Sequence, residues 1–309
     1  MPLYRIIFIA TLLFVSLARG GAIVPAARAQ AQIDPLVAPG RLIDIGGYRL
    51  HINCRGSGRP VVILDAGLGG SSLDWIYVQE KLQDETRVCA YDRAGYGWSD
   101  PGPPPRTTAQ IVDELELLLD RAKIPPPYIL VGHSFGGYNM QYFAKARPAL
   151  VAGLVLVDSS HPDQARRMPE LPARAEIEDD GADLVTFFDP SVVFKFYREN
   201  MWLAVGRLMS SRKAILTQQR ELFNFNLSAD QVKELGDLPD IPLIVISHGL
   251  RVWPDNPLGQ AREREWRAMQ RDLVHLAPRG RQVIAASSGH LIQLQQPELV
   301  ADAIRQLLK

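Results

Sequence analysis

Short, almost uninterrupted apolar runs recur along the chain, and segments with helical periodicity separate them. The runs lie at residues 61–65, 87–91, 128–131, 152–157, 242–248 and 282–286. Strands that are buried on both faces of a sheet have this pattern, because neither face carries polar side chains. Since helices alternate with these strands, we predict an α/β fold with a mainly parallel sheet that helices cover on both faces.

Two regions depart from this alternation. Residues 41–45 and 48–53 are predicted to form a hairpin that turns at two glycines. Between 159 and 240, aromatic and charged residues at helical spacing replace the strand pattern. We therefore predict a core formed by residues 41–158 and 241–309, with residues 159–240 inserted between its two parts as a helical lid.

The first 31 residues have the pattern of a targeting segment rather than of a folded domain. Arg5 precedes an apolar run at 6–17, and Ala29 and Ala31 each complete a small-x-small site. A helix that spans a membrane needs about 20 apolar residues, and this run is shorter. We predict a signal peptide, residues 1–29, cleaved after Ala29 or Ala31, and a secreted or periplasmic product without stable membrane insertion. An uncleaved signal, which would leave the protein anchored to the membrane, is the alternative.

Composition and charge exclude several classes of partner. Among 309 residues, 47% are apolar, which is ample for a core, and 34 acidic residues balance 34 basic ones. No global charge favours nucleic acid or an anionic membrane, so neither is expected as a partner. Cys54 and Cys89 are the two cysteines of the chain. In an oxidising compartment such a pair favours a disulfide over a metal site or a catalytic thiol, with two buried free thiols as the alternative.

The segment Gly132-His133-Ser134-Phe135-Gly136-Gly137 is the strongest chemical signal in the chain. An apolar strand precedes it and a helical stretch follows it, which is the context of a G-x-S-x-G turn with a nucleophile at its apex. A sharp turn from strand to helix leaves no room for side chains at the flanking glycines, and it holds the serine in a strained conformation. The pattern predicts that Ser134 is a catalytic nucleophile.

A serine hydroxyl needs a base to take its proton, and the base needs a third group to orient it. His290 follows the last predicted strand, in the chain order that such a site requires. His133 adjoins the serine and is interpreted as a packing residue. His161 and His248, both near strand ends, are weaker candidates for the base.

Two positions in the sequence are candidates for the acid. Asp158 ends a buried strand, where a carboxylate can reach a histidine across the sheet edge. The loop that follows residue 246 is the competing position, and its first acidic residue is Asp255. We predict Asp158 as the acid and keep Asp255 as the alternative.

An oxyanion that forms on the substrate needs two N–H donors. The backbone of Phe135, directly after the nucleophile, is predicted to supply one, and the glycine-rich loop at 67–70 is predicted to supply the other from Leu68. A phosphate-binding role for that loop is disfavoured, because no lysine-serine pair follows it. No metal or cofactor site is predicted.

Together these residues resemble the α/β-hydrolase superfamily, over roughly 41–309. The resemblance is carried by Gly67-Leu68, the turn at Asp92, Gly95, Gly97 and Ser99, the elbow at Ser134, and the Ser-Gly-His segment ending at His290. It implies a mostly parallel eight-stranded sheet with a lid, and a structural role for Asp92. It also implies that the strands carrying Cys54 and Cys89 are neighbours, which strengthens the disulfide hypothesis. The segment before Asp158 is similar to the strand after the elbow of some haloalkane dehalogenases, whose acid lies there.

The resemblance implies an exported, cofactor-free serine hydrolase that cleaves a carboxylic ester or similar acyl bond of a small molecule through an acyl-enzyme. A serine at the apex argues against a dehalogenase or an epoxide hydrolase, which use an aspartate. An aminopeptidase of the proline-iminopeptidase type is one alternative, with Glu199 or Asp189 of the lid as its acidic group. A non-catalytic binding protein on the same fold is another. The lid aromatics line a pocket or form the lid's own core: Phe187, Phe188, Phe194, Phe196, Tyr197 and Trp202.

Overall fold

In the computed structural model, residues 37–169 and 194–309 are described. The predicted signal peptide lies outside these residues. So do residues 170–193 of the predicted lid, with Phe187, Phe188 and Asp189 among them.

A single sheet of eight strands forms the centre of the described domain, in the order β1-β2-β4-β3-β5-β6-β7-β8. The pairs β1–β2 and β2–β4 are antiparallel and the remaining pairs are parallel, so the predicted mostly parallel eight-stranded sheet is confirmed. The strands are β1 Arg41–Asp44, β2 Arg49–Arg55, β3 Val61–Asp65, β4 Val88–Tyr91, β5 Tyr128–His133, β6 Val151–Val157, β7 Leu243–His248 and β8 Gly280–Ala285.

Helices cover both faces of the sheet. Their bounds are α1 Ile76–Leu82, α2 Thr108–Arg121, α3 Gly136–Ala146, α4 Gln164–Arg167, α5 Trp202–Met209, α6 Arg212–Phe223, α7 Phe225–Glu234, α8 Pro257–Val274, α9 Ile292–Gln295 and α10 Pro297–Leu307. Short 3₁₀ turns lie at Ser72–Trp75, Pro148–Leu150 and Glu199–Met201.

The two faces of the sheet bury separate clusters of side chains. In β3, Val61 and Ile63 pack in the cluster that includes α2 and α3, whereas Val62 and Leu64 pack in the cluster that includes α1 and α10. Successive side chains of a strand point to opposite faces, so a strand with a core on each side must be apolar at every position. This explains the unbroken runs, and it explains why β8, at the sheet edge, has a mixed pattern of exposure.

Helices α4 to α7 lie between β6 and β7, where the insert was predicted. The N-terminal turn of α2 is joined to α7 by two hydrogen bonds: the Thr108 N–H donates to Ser228 Oγ at 3.1 Å, and the Ala109 N–H donates to Gln231 Oε1 at 3.0 Å. Lys145 Nζ of α3 also donates to the Val232 carbonyl at 2.9 Å. The described end of the insert is therefore attached to the core by polar contacts.

A disulfide joins Cys54 of β2 to Cys89 of β4, with an S–S distance of 2.08 Å. The two residues face each other in the antiparallel register of these strands. This is the pairing that the resemblance implied. Within residues 37–169 and 194–309, no helix combines the length and the apolar character needed to cross a membrane.

Candidate active site

Ser134 lies at the apex of a turn between β5 and α3, with a φ of 50°. A side chain at Gly132 would place its Cβ 2.5 Å from the Gly136 carbonyl oxygen, and one at Gly136 would lie 2.5 Å from the Asp65 carbonyl oxygen. Both glycines are therefore required by close backbone contacts. Left-handed backbone at a non-glycine residue costs free energy and persists where the surrounding structure enforces it.

The glycine-rich loop after β3 packs directly on this turn. A Cβ added at Gly67 would lie 2.9 Å from His133 Nδ1 and 3.2 Å from Ser134 Cβ. The loop closes on itself through a hydrogen bond from the Gly70 N–H to the Gly67 carbonyl at 3.2 Å. Leu68 and Ser134 consequently border the same cavity.

Arg93, which is buried, holds the carbonyl groups at the start of that loop. Its guanidinium donates to the carbonyls of Ala66 and Gly67 at 2.6 and 2.9 Å, to Asp65 at 2.7 Å, and to Glu221 of α6 at 2.9 Å. Because these carbonyls are tied to Arg93, the backbone of the loop is fixed where it passes the serine. The same side chain also links the loop to the inserted helices.

Asp158 follows β6 directly and has a φ of 42°. Its Oδ2 accepts hydrogen bonds from Nδ1 of His290 at 2.6 Å and from Nδ1 of His248 at 2.8 Å. Its Oδ1 accepts from Trp266 Nε1 at 3.0 Å. Burial alone would raise the pKa of Asp158, but the charge and hydrogen bonds of His248, with those of His290, outweigh burial and hold this pKa well below its usual range.

His290 is held on three sides. With Nδ1 bonded to Asp158, Nε2 is the nitrogen that can exchange a proton with a neighbour. Its ring packs against the ring of His133 at 4.6 Å and edge-on against Trp266 at 5.8 Å, and its carbonyl accepts from His133 Nε2 at 2.9 Å. Burial lowers the pKa of His133 to about 3, so the side chain of His133 is uncharged where it borders the site.

A cavity of about 560 Å³ brings the predicted residues together. Ser134, His290 and Leu68 border it, while Asp158 is buried behind His290. Most of the other lining residues are apolar or small, and the apolar ones include Phe194, Met209, Ile215 and Leu291; Gln218 adds a polar amide. Of the predicted lid aromatics that are described, Phe194 and Tyr197 line the cavity, and both also belong to a hydrophobic cluster with Leu73 and Trp98.

Asp74, which the sequence analysis did not single out, also lines this cavity. Its Oδ1 accepts from the Tyr197 hydroxyl at 2.7 Å and from the Ser71 N–H at 3.3 Å. Burial raises the pKa of Asp74 to about 6, although both hydrogen bonds oppose the shift. Ser71 and Asp74 form a capping box for the following 3₁₀ turn. The Ser-x-x-Asp spacing in the sequence indicates this capping box, but no neighbouring residue in the sequence indicates that Asp74 lines the cavity.

Other predicted candidates lie elsewhere. Asp255 is exposed, pairs with Arg251 and Gln260, and has no described contact with His290. Glu199 begins a 3₁₀ turn and does not line the cavity.

Asp92 accepts from the Ser72 N–H at 2.6 Å and from the Trp98 N–H at 2.9 Å, which ties together two loops. Across the described residues, no group of three or more His, Cys, Asp or Glu is arranged to hold a metal ion.

His248, a weaker candidate for the base in the sequence, lies against Asp158 in the structure. The strands β6 and β7 are parallel, and Val157 pairs with Ile246 in their register. The residues that follow these two strands therefore emerge at the same edge of the sheet. The signal that could have found this contact was a pair of adjacent parallel strands, one followed directly by Asp158 and the other ending in His248.

Comparison with known proteins agrees with this architecture. A family model described as the alpha/beta hydrolase family matches residues 61–303. The chain is 28% identical over 261 residues to the uncharacterized protein YqjL of Bacillus subtilis, covering 84% of this chain and 88% of that protein. It is 38% identical over 136 residues to a probable transporter, efuK, of Hormonema carpetanum, but spans only 20% of that much longer relative and 41% of itself.

Solved structures show the same fold. A thermophilic esterase from Thermogutta terrifontis superposes with a TM-score of 0.56 at 21% identity, covering 85% of this chain and 95% of the esterase. At this level of identity the likeness concerns the fold alone.

Proposed function

Because this chain belongs to the alpha/beta hydrolase family and is a hydrolase, we propose that it cleaves a carboxylic ester or a similar acyl bond, with Ser134 as nucleophile, His290 as base and Asp158 as the acid. One observation carries the proposal. A strained serine and an imidazole bonded to a buried aspartate border the same cavity. This arrangement has the parts that an activated hydroxyl nucleophile needs.

The reaction follows from these parts. Ser134 Oγ attacks the carbonyl carbon of the substrate while its proton passes to His290 Nε2, and Asp158 stabilises the imidazolium that forms. The N–H groups of Leu68 and Phe135 hold the oxyanion, and loss of one such donor typically lowers the rate ~10²–10³-fold. His290 then returns the proton to the departing alcohol. Water, activated by the same imidazole, cleaves the acyl-enzyme and releases the acid.

The cavity supports an apolar acyl group of modest size as the substrate. Its volume, about 560 Å³, falls in the range of small-molecule sites, roughly 300–1,000 Å³. Phe194, Met209, Ile215 and Leu291 supply apolar contacts. We assign the inserted helices the role of a lid over this cavity. The targeting pattern of residues 1–29 and the Cys54–Cys89 disulfide support export of the protein.

A second candidate substrate carries an amine, as in an aminoacyl ester or a peptide with a free N-terminus. Asp74 supports it, because a carboxylate in the cavity wall can pair with an ammonium group. The acidic group of this alternative would then come from the core, rather than from Glu199 or Asp189 of the lid as predicted.

Labelling with a fluorophosphonate probe tests the proposed nucleophile. We expect the wild-type protein to be labelled and Ser134→Ala to remain unlabelled, since the probe reacts with an activated serine hydroxyl. Ser160→Ala is a control, because that serine lies near the turn without lining the cavity. A folded wild-type protein that resists labelling would contradict the proposal and favour a non-catalytic binding protein.

A substrate panel then separates the two candidate classes. p-Nitrophenyl esters of increasing chain length should be hydrolysed faster than aminoacyl-naphthylamides if the apolar wall sets specificity. The opposite preference would favour the aminopeptidase alternative.

A further inference from the structure

His248 is enclosed between two carboxylates. Its Nδ1 lies 2.8 Å from Asp158 Oδ2, and its Nε2 lies 3.0 Å from Glu263 Oε1 of α8. The side chain is almost completely buried, at 1% exposed. Both contacts are therefore shielded from water.

The partners of this ring determine its protonation. An ionised carboxylate only accepts hydrogen bonds, so a ring nitrogen that faces one must donate. Asp158 and Glu263 face the two nitrogens, and each also receives other donors: Trp266 Nε1 on Asp158, and Arg267 Nε and the Val252 N–H on Glu263. A ring that donates from both nitrogens is an imidazolium. The pKa of His248 agrees: burial lowers it, but Asp158 and Glu263 raise it to about 9, and the pKa of Glu263 is lowered to about 2.

Asp158 Oδ2 is shared between this ring and His290, whose Nδ1 lies 2.6 Å away. A permanent cation on one side of the carboxylate has two effects. It keeps Asp158 ionised and fixes the direction of its lone pairs. It also opposes a second positive charge on the neighbouring imidazole, because both rings contact the same buried carboxylate oxygen and like charges repel more strongly away from water.

We propose that His248 is a positioning residue for the hydrolysis proposed above: a buried imidazolium, bridging Asp158 and Glu263, that aims Asp158 at His290 and disfavours a positive charge on the catalytic imidazole. The inference rests on the proposed function. It adds a residue that the predicted Ser134–His290–Asp158 site does not contain.

In the part of the chain that the structure describes, no other cation contacts Asp158 in a way that would replace His248. Among the described residues, the titratable or charged groups that face His248 and His290 are Asp158, directly after β6, Glu263 and Arg267 of α8, and the neutral His133. Arg267 contacts Glu263 and the Gly249 carbonyl rather than Asp158. The loop after β7 presents the ring of Trp253, 6.1 Å from His248.

The pH dependence of kcat/KM for a p-nitrophenyl ester in His248→Asn tests the inference. The asparagine amide can still donate to Asp158 from the position of Nδ1, but it carries no charge. We expect kcat/KM at pH 8 to stay within about fivefold of wild type, and the acid limb of the profile to move to higher pH by about one unit, so that the variant loses roughly tenfold more activity at low pH. His275→Asn, at the exposed end of α8, is the matched control and should leave the profile unchanged.

A uniform loss at all pH values, or an acid limb that stays in place, would overturn the inference and leave His248 a structural residue. The wild-type ring is also measured directly by ¹⁵N NMR of labelled histidines, which does not depend on the folding of His248→Asn. Two protonated nitrogens on His248 at pH 7 are expected, and a neutral ring would overturn the inference even if the variant failed to fold. Glu263→Gln assigns the signal by perturbing it.

These outcomes are distinct from failure of the proposed function. If the wild-type protein is not labelled by fluorophosphonate, the hydrolase site fails whatever the state of His248. If it is labelled and His248→Asn retains the wild-type profile, only the role of His248 fails.

Discussion

Two buried aspartates, Asp74 in the wall of the cavity and Asp158 behind His290, have pKa values that are shifted in opposite directions. Asp158 is completely buried and its pKa lies well below the usual range, whereas Asp74 is 7% exposed and burial raises its pKa to about 6. Removal from water penalises both carboxylates. The difference therefore comes from the charge of His248 beside Asp158 and from the hydrogen-bond donors around each carboxylate.

The donors of Asp158 are more numerous and more strongly polarised. It accepts from two imidazole rings and an indole, one ring being positively charged, while Asp74 accepts from a phenol and one long amide contact. Charge-assisted hydrogen bonds are roughly twice as strong as neutral ones. The comparison teaches that burial does not decide the charge of a carboxylate: one aspartate is a permanent anion and the other changes charge near neutral pH.

Replacing Asp158 should have the largest effect. In Asp158→Asn, the side-chain amide can turn its NH₂ group toward His290 Nδ1, which favours the wrong tautomer of the ring, and it no longer stabilises the imidazolium. We therefore expect kcat/KM to fall roughly 10³–10⁴-fold. Esterase kinetics measure this, with Asp255→Asn as the control, which should stay within about twofold because that residue is exposed. A larger loss of kcat/KM in Asp255→Asn than in Asp158→Asn would assign the role of the acid to Asp255.

The second largest effect is expected in Asp74→Asn, on the way the free energy of unfolding changes with pH. The folded-state pKa of Asp74, about 6, lies above the ordinary aspartate value of 3.8, so the wild-type protein loses stability as pH rises from about 4 to 6. Asp74→Asn carries no group that titrates at this position, so its free energy of unfolding should not show this loss. At about 1.4 kcal/mol per pKa unit, the difference in unfolding free energy between variant and wild type should therefore change by about 3 kcal/mol in favour of the variant between pH 4 and pH 6. Urea unfolding at pH 4, 5, 6 and 7 measures it. A difference between the two proteins that stays constant with pH would show that Asp74 does not titrate there.

Substrate preference should change by a smaller factor. If Asp74 pairs with an amine, Asp74→Asn should lower kcat/KM for aminoacyl esters roughly tenfold, the value of a hydrogen bond to a charged group, and leave neutral acyl esters nearly unchanged. Matched p-nitrophenyl esters with and without an α-amine, assayed at pH 8, provide the measurement. Equal losses on both series would remove the amine-bearing substrate from consideration.

The smallest effect is expected from Tyr197→Phe. Loss of the hydroxyl removes the 2.7 Å donor to Asp74, so the pKa of that carboxyl should rise further. The pH at which Asp74 loses its proton, followed by ¹³C NMR of the aspartate carboxyls, should therefore lie above that of the wild type. An unchanged midpoint would mean that this hydrogen bond contributes little to the contrast with Asp158.

Much of this molecule could be predicted from local patterns in the chain. The apolar runs identified the buried strands of the sheet, and the strand–glycine–serine–helix pattern placed Ser134 at a turn where Gly132 and Gly136 have no room for side chains. Such features depend on neighbours within a few residues, so the order of residues is enough to indicate them.

The environments of Asp74 and Asp158 could not be predicted in the same way. The contacts from Asp74 to Tyr197 and from Asp158 to His248 and His290 join residues that are 123, 90 and 132 positions apart. The parallel register of β6 and β7 brings Asp158 and His248 to one edge, and the packing of the insert brings Tyr197 to the cavity. The sequence alone gives the type of each residue, but the charge of a buried residue depends on the groups that folding places around it.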